Sequence, residues 1–294
     1  MSEHPPRSLA RSDIRRSFNG AANTYDQFAV LQREVDERLG ARLNFVQLSP
    51  QRIVDLGAGT GVAARRLQTK YTKARILLID LAPAMLRLAR TQRRRWRSRE
   101  MYVCADATAL AVQSGTVDLI YSNLMLQWCE DLVAVFGECR RCLRPGGLLL
   151  FSTLGPNTLK ELRAAWATVD TRPHVNIFLD MHDVGDQLIK SGFTSPVLER
   201  EDLILTYQNT LALMRDLKGI GARNAHRERA RGMTGKVTLA AVQAGYEPFR
   251  QQGTLPATYE VVYGHAWAPT LDTRPQDGST VGTFPLNRLT RRSV

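Results

Sequence analysis

The sequence predicts an α/β fold built on a mostly parallel sheet with helices on both faces. Strand and helix signals alternate from Arg52 to Thr153, the pattern left by consecutive strand–helix–strand crossovers. Arg52-Ile-Val-Asp-Leu-Gly-Ala-Gly-Thr-Gly61 joins an apolar strand to a helix through three glycines at spacing two. Glycine lets the chain turn tightly and lets a ligand approach its backbone. The next apolar run, Arg75-Ile-Leu-Leu-Ile-Asp80, ends in an acid 19 residues after Gly61, where a carboxylate can grip ribose hydroxyls. A glycine turn alone joins many strands to many helices, but strand, turn, helix, strand and Asp80 in register point to a cofactor site. Gly61 comes one residue too early for the pyrophosphate fingerprint, which weakens a dinucleotide reading.

Met1–Arg11 is polar, carries Pro5 and Pro6, and is expected to be mobile. Ser12-Asp13 starts a helix on which Phe18, Ala21, Ala22 and Tyr25 recur at helical spacing. A second helix carries Phe28, Leu31, Val35, Leu39, Leu43 and Val46 on one face and ends before Pro50. This pair would sit beside the glycine turn and cover the cofactor, with Tyr25 and Asp26 as its polar residues there. Spacing alone favours Tyr25 as a packing aromatic.

Then follow helix 62–70, strand 75–80, helix 83–97, strand 101–104, strand 117–122, helix 131–143 and strand 147–153. Asp106 lies just past the third strand, placed either to reach an adenine amino group or to cap a turn. Strand 117–122 delivers Asn123 to the carboxyl edge, where ligands of open α/β sheets bind. Leu143-Arg-Pro-Gly-Gly147 forms the turn into the fifth strand. Beyond Gly155 the alternation breaks. Thr158-Leu-Lys-Glu161 has the form of a capping box opening a helix through Val169, and a Pro-broken loop, 170–178, holds Arg172, His174 and Asn176. Helix 182–191, strand 197–206, a helix over 208–218, a helix over 236–251 and strand 257–267 complete the pattern. The helices at 158–169, 208–218 and 236–251 exceed what a bare sheet needs and are expected to build a lid. The expected organisation is one domain over 12–269, with lid insertions near 155–180 and 208–252 and a disordered tail over 270–294.

A net charge of +12 over 294 residues implies an acidic partner. Arg87, Arg90, Arg93, Arg94, Arg95, Arg97 and Arg99 face a single acid, Glu100, within 14 residues. Such a run is either a solvated face or a docking surface, and its density favours docking. Cys139 and Cys142 read as two cysteines on one helix face, with no metal expected. Four unpatterned cysteines and an N-terminus without secretory character point to a reducing cytoplasm. No apolar run approaches the ~20 residues of a membrane span, so no membrane partner is expected.

Gly57, Gly59 and Gly61 after an Asp-bearing strand resemble motif I of the S-adenosylmethionine-dependent methyltransferases, whose ligand carries no phosphate. The segments Ser122–Cys129, Thr153–Leu162, Arg172–Phe178 and Met214–Gly221 are similar to the malonyl-[acyl-carrier protein] O-methyltransferases of biotin synthesis, a likeness running from about Arg15 to Trp267. The glycines are shared widely, whereas Gln127-Trp-Cys, Arg172-Pro-His and Leu217-Lys-Gly-Ile-Gly are far narrower. The resemblance implies the seven-stranded class I fold and S-adenosylmethionine as co-substrate. It implies methylation of the free carboxylate of a malonyl thioester, carried on the phosphopantetheine arm of an acidic acyl carrier protein that would also answer the basic charge. The cofactor set is then Asp55, Gly57, Gly59, Gly61, Asp80, Leu81, Asp106, Ala107 and Asn123. Gln127, Trp128, Asn176 and Lys218 face the substrate, and Tyr25, Arg172 and His174 stand nearest the chemistry.

A carboxyl with a reference pKa near ~4 is ionised at pH 7, so this reaction needs no general base. The enzyme must desolvate the carboxylate, align it with the methyl group and exclude water. A guanidinium fork suits the task, and Arg172 is the candidate, its alternative being a brace to Asp170 or Asp180. An aromatic ring can face the sulfonium, and Tyr25 and Trp128 are placed for it. Two other readings stay open. A nucleic-acid methyltransferase would explain the charge, but Asn123-Leu-Met-Leu126 stands where a polar-Pro-Pro-aromatic run would be, so no nucleic-acid partner is expected. A respiratory-complex assembly factor of the same fold would bring an amphipathic Ser- and Arg-rich leader, which the N-terminus lacks.

Overall fold

The computed structural model describes residues 9–93, 99–222, 224–225 and 235–270. Two helices, α1 (Arg11–Phe28) and α2 (Val30–Arg42), precede the sheet. Its strands are β1 (Arg52–Leu56), β2 (Arg75–Asp80), β3 (Glu100–Cys104), β4 (Val117–Ser122), β5 (Leu143–Leu154), β6 (Thr194–Tyr207) and β7 (Leu255–Trp267). Among the described residues they form one seven-stranded sheet in the order β3-β2-β1-β4-β5-β7-β6. The pairs from β3 to β5 are parallel, and β7 runs antiparallel to both β5 and β6. The order reverses between β1 and β4, so their connections leave in opposite directions and a crevice opens at their carboxyl ends. The helices that follow are α3 (Val62–Lys70), α4 (Pro83–Gln92), α5 (Leu132–Cys142), α6 (Lys160–Ala167), α7 (Met181–Lys190), α8 (Thr210–Gly219) and α9 (Lys236–Tyr246).

Side chains alternate across each strand, and the alternation produces a core on either face. Ile53, Ile76, Leu78, Leu119 and Leu150 pack on one face with Val35 and Leu39 of α2 and Leu67 of α3. Val54, Ile79, Ile120, Leu149 and Phe151 pack on the other with Phe136 of α5 and Leu188 of α7. Every residue of β4 is buried. Cys139 and Cys142 lie on the apolar face of α5 as expected, where burial pushes the Cys142 thiol up to about 11. α6 packs on α9, and α1 packs on both α4 and α8. Among the described residues, no helix is long and apolar enough to cross a membrane.

Several boundaries differ from expectation. α2 closes at Arg42 rather than near Pro50, because its end tightens into a turn (Leu43 N–H to Gly40 O, 3.1 Å) that carries Phe45 out into solvent. β5 starts at Leu143, which pairs with Val117 before the register shifts; Gly146, at φ 72°, accommodates the bend. α9 stops at Tyr246 and a 3₁₀ turn follows, since Pro248 has no N–H to continue the ladder. The expected helix 83–97 ends at Gln92, because Arg93 is already extended (φ −61°, ψ 151°). Arg94, Arg95 and Arg97 lie outside the described residues, as do residues 1–8 and 271–294, whereas Leu9 is buried, Ala10 N–H donates to Ala225 O and Arg11 already begins α1, so the expected mobile N-terminus does not reach Arg11.

The expected capping box does not form. Thr158 and Glu161 are both buried and turn toward β7. Thr158 Oγ1 donates to Glu260 O (3.2 Å), and the Glu161 carboxylate accepts Thr258 N–H (3.1 Å) and Thr258 Oγ1–H (2.5 Å). Leu159, left-handed at φ 55°, begins the helix instead. A buried carboxylate is tolerable only with such donors, so these side chains anchor the insertion on β7.

Candidate active site

From β1 the chain turns through Gly57-Ala-Gly-Thr-Gly61 into α3. The N–H groups of Gly57 and Ala58 both donate to Ile79 O (2.8 and 3.0 Å), which hangs the turn on the end of β2. Gly57 has φ 78°, and a Cβ there would overlap the Met125 side chain, so glycine is required on both counts. Gly59 N–H donates to Asp80 Oδ2 (2.8 Å), and Ala82 N–H to Asp80 Oδ1 (2.7 Å). Each carboxylate oxygen keeps a lone pair for a further donor. Burial pushes the Asp80 acid up, opposed by those two backbone N–H groups.

Two cavities open from the turn. The first, about 860 Å³, runs from Phe18 of α1 past Leu81 and Asp106 to Met125 and Trp128. Its apolar walls, with Asp80, Asp106 and Asn123 as polar groups among them, suit a nucleoside. The second, about 460 Å³, lies between the α1–α2 corner (Asp26, Gln32, Asp36) and the turn (Asp55, Thr60). Tyr25, Gly57, Gly59 and Asn123 line both.

Asp55 is 1% exposed, and its Oδ2 has no hydrogen-bond partner among the described residues. Burial above all, with Asp36 and Asp80 nearby, pushes it up to about 8, against the pull of Arg66 and the Ala64 N–H. Gln32 Oε1 is likewise buried and unpartnered among the described residues. Unsatisfied acceptors facing one cavity call for a donor, such as an ammonium group. Burial, reinforced by Asp80 and Asp26, pushes the Tyr25 phenol far up, so its hydroxyl stays neutral. Asn123 is fixed at the sheet edge, with Nδ2 donating to Gln32 O (2.9 Å) and Oδ1 accepting Ser152 Oγ–H (2.8 Å). Leu124 beside it is left-handed at φ 48°, a strained conformation of the kind that gathers at functional sites. Asp106 Oδ1 accepts Thr108 N–H and Oγ1–H, as a turn cap does, while Oδ2 pairs with Arg11 Nη1 of α1 at 2.9 Å.

Leu81, Ala107 and Trp128 line the first cavity, and Trp128 meets Phe18 edge-on at 5.2 Å. Gln127 is buried and outside that lining, its Nε2 donating to Leu124 O (2.6 Å). Arg172, His174, Asn176 and Lys218 line neither cavity. Arg172 is exposed, and its backbone N–H donates to Asp170 Oδ1 (2.9 Å). His174 stacks on Trp166 at 3.6 Å and holds Asp170 Oδ1 at 2.7 Å. Asn176 is buried and accepts Ala225 N–H (3.1 Å); Ala225 O in turn accepts Ala10 N–H (3.1 Å). Leu9, Ile14 and Ala225 then cluster with Phe18, Leu81 and Trp128, which ties the 170–178 loop to the cavity mouth. Lys218 is exposed at the end of α8. The glycines of its segment serve packing, since a Cβ at Gly219 would overlap Phe28 of α1.

Sequence reasoning missed Arg11, Gln32, Asp36 and Thr60. Gln32, Asp36 and Gly40 recur every four residues on α2, beside the apolar stripe of Leu31, Val35 and Leu39, and that polar stripe was the available signal. Nothing local marks Arg11, whose place depends on how α1 crosses the sheet edge. Among the described residues, no group of three or more His, Cys, Asp or Glu is arranged to hold a metal ion.

Residues 54–151 match the family model described as a methyltransferase domain. The chain is 49% identical over 275 residues to a malonyl-[acyl-carrier protein] O-methyltransferase of Methylovorus sp., covering 92% of this chain and 93% of that protein. It is 48% identical to the protein of that name from Laribacter hongkongensis, covering 93% and 95%. Among solved structures it is similar to a Haemonchus contortus phosphoethanolamine N-methyltransferase in complex with S-adenosylhomocysteine (TM-score 0.53, 16% identity, 85% of this chain). This chain spans 57% of that larger one. It is also similar to the YcgJ protein of Bacillus subtilis (TM-score 0.57, 14% identity, 79% of this chain and 97% of that one). At such identities these structures speak for the fold.

Proposed function

The chain belongs to the malonyl-[acyl-carrier protein] O-methyltransferase family, and we propose that it methylates the free carboxylate of a malonyl thioester, carried on an acidic acyl carrier protein, to the methyl ester at the start of biotin synthesis. The methyl donor is S-adenosylmethionine. The observation that carries the reading is the pair of cavities meeting at Tyr25, Gly57, Gly59 and Asn123. The first suits an adenosine half, with Asp80 for the ribose hydroxyls, Asp106 and Ala107 for the adenine, and Leu81 as an apolar wall. The second suits an amino-acid half, because the unpartnered acceptors of Asp55 and Gln32 await an ammonium group. Gly61, at φ 79°, opens α3 behind them.

When bound, the co-substrate supplies an electrophilic methyl group on a charged sulfonium. Tyr25, lining both cavities, presents a neutral aromatic ring there, a contact worth ~0.5–2 kcal/mol. Trp128 and Phe18 wall off water. The acceptor carboxylate arrives ionised and needs no base, so the protein's work is grip and alignment. We assign the grip to Arg172 supported by His174 and Asn176, with Gln127 beneath Trp128 and Lys218 as an exposed cation on the substrate side. The insertions at 155–180 and 208–252 form the acceptor cover of a single methyltransferase domain. The four cysteines, with no spacing suited to disulfide pairs, fit a reducing compartment, the cytoplasm.

Mass spectrometry of malonyl-carrier protein incubated with methyl-labelled S-adenosylmethionine tests the reading, with malonyl-coenzyme A as the parallel substrate. One labelled methyl on the malonyl group is expected, removable by mild alkali as an ester is. No label, or label on carrier protein lacking the malonyl group, would overturn it.

Two further results are expected. Asp80→Ala should weaken S-adenosylmethionine binding about tenfold in titration calorimetry, the ~1.5 kcal/mol of a charge-assisted hydrogen bond; unchanged affinity would remove Asp80 from the site. Arg87 and Arg90 are exposed on α4, and the rest of the arginine run follows them. Reversing Arg93, Arg94, Arg95 and Arg97 to Glu should raise the KM for malonyl-carrier protein several-fold with kcat unchanged. The effect should fade at high salt, where exposed charges are screened within a few ångströms. Identical kinetics at low salt would make the run a solvated face.

A further inference from the structure

The α1–α2 corner supplies one wall of the second cavity, so the place of α2 along its axis sets where Gln32 and Asp36 face it. The start of α2 at Ala29 has no side-chain cap, and its buried stripe of Leu31, Val35 and Leu39 is non-directional. Apolar burial sets how close α2 lies to the sheet, not where Gln32 and Asp36 stand along it. Asn123 Nδ2 donates to Gln32 O, and Arg38 and Arg42 pair with Glu201 and Glu199 of β6 near the surface, while the bonds to the Asp36 side chain converge on one residue of α3. Arg66 grips Asp36 through two parallel hydrogen bonds, Nε to Oδ2 and Nη2 to Oδ1, each 2.8 Å. Its Nη2 also donates to Tyr121 Oη of β4 (2.7 Å), and the Tyr121 hydroxyl donates back to Asp36 Oδ1 (2.7 Å). Asp36 is 3% exposed and Tyr121 is fully buried, so each bond is shielded from water and strong. One turn along α2, Gly40 leaves the space in which the guanidinium lies, because a Cβ there would overlap it.

We propose that Arg66 is a positioning residue for the amino-acid half of the co-substrate. By clamping Asp36 against Tyr121 through the gap at Gly40, it holds Gln32 and Asp36 opposite Asp55 across the second cavity. The inference rests on the reading that this cavity takes the amino-acid end. The ligand's adenosine half lies in the first cavity, whose lining includes neither Asp36 nor Arg66, so the clamp acts on one half of the ligand and spares the other.

That asymmetry gives the test. S-adenosylhomocysteine carries both halves, and 5′-methylthioadenosine lacks the amino acid. Calorimetric affinities for both are measured on the wild type, Arg66→Met and Gly40→Ala. Arg66→Met removes the clamp. Gly40→Ala keeps every charge, is favourable to a helix, and displaces the guanidinium, so it serves even if Arg66→Met fails to fold. The expected result is a loss of at least ~10-fold for S-adenosylhomocysteine in a folded variant, with methylthioadenosine affinity within ~2-fold of wild type. The KM for S-adenosylmethionine should rise with kcat largely kept. Unchanged S-adenosylhomocysteine affinity in Gly40→Ala, or a parallel fall for both ligands, would overturn the positioning role. If the wild type shows no preference for S-adenosylhomocysteine over methylthioadenosine, the reading of the second cavity itself fails and takes the inference with it.

Discussion

Asp55→Asn is expected to weaken S-adenosylhomocysteine binding at least ~30-fold at pH 8, or ~2 kcal/mol, the low end of the cost of truncating one partner of a buried charge pair. The same change should raise the melting temperature of the ligand-free protein at pH 9. Both effects come from one carboxyl group. Burial first, then Asp36 and Asp80, raise its folded-state value to about 8, against ~3.9 in an unfolded chain. Between those values the folded protein holds a proton that the unfolded chain has released. Stability linked to Asp55 is therefore fully present below about pH 4 and is lost as pH rises through about 8. Asparagine carries no charge to lose, so the variant should match the wild type below about pH 4, pull ahead as pH rises, and melt several degrees higher at pH 9. Binding runs the other way. A cationic ammonium needs the carboxylate, so wild-type affinity should climb as pH rises toward 8, and the variant's should stay flat. Equal affinities at pH 8, or no stability gain at pH 9, would mean that Asp55 carries no such charge.

The part of the fold that was legible in the sequence is the part governed by local period. β1, the glycine turn, α3 and β2 follow from apolar runs and backbone geometry that depend on residues within a few positions, and they came out within a residue of expectation. Asp80 was legible for the same reason, since its distance from the glycines is set by one helix and one turn. Thr158 and Glu161 show the limit. Their spacing is that of a capping box, but burial beside Thr258 and Glu260 gave them partners about 100 residues away, and tertiary donors outcompeted local ones. Gly40 shows it again. A glycine in mid-helix reads as a weak point, yet it is the gap through which Arg66 reaches Asp36. The second cavity was invisible because its acidic wall comes from α2 and its orphaned Asp55 from β1, brought together only by the fold.

Arg172→Lys is expected to fold normally, bind S-adenosylmethionine normally, and lose at least ~100-fold in kcat/KM for the malonyl thioester, or ~2.7 kcal/mol. Arg172 is exposed on a loop tied to the mouth of the first cavity through Asn176, Ala225 and Ala10. Its surroundings make the bracing alternative weak. Asp170 receives its hydrogen bonds from the Arg172 backbone N–H and from His174, which also keep that acid below its ordinary value. Asp180 is taken by the backbone N–H and ring of His182. Neither acid depends on the guanidinium fork, so an exposed lysine in its place should cost little stability. A malonyl carboxylate does depend on it, because a fork offers two parallel donors in one plane and an ammonium offers only a point charge. Pro173 restricts the backbone next to it, and the stack of His174 on Trp166 holds the loop on α6, so the fork is delivered from a braced support. Steady-state kinetics with malonyl-carrier protein decide the matter alongside calorimetry with S-adenosylhomocysteine. A fall in both readouts would mark a damaged fold. Near-wild-type turnover would end the clamp assignment and move the search to Lys218 and to Arg223, which lies outside the described residues.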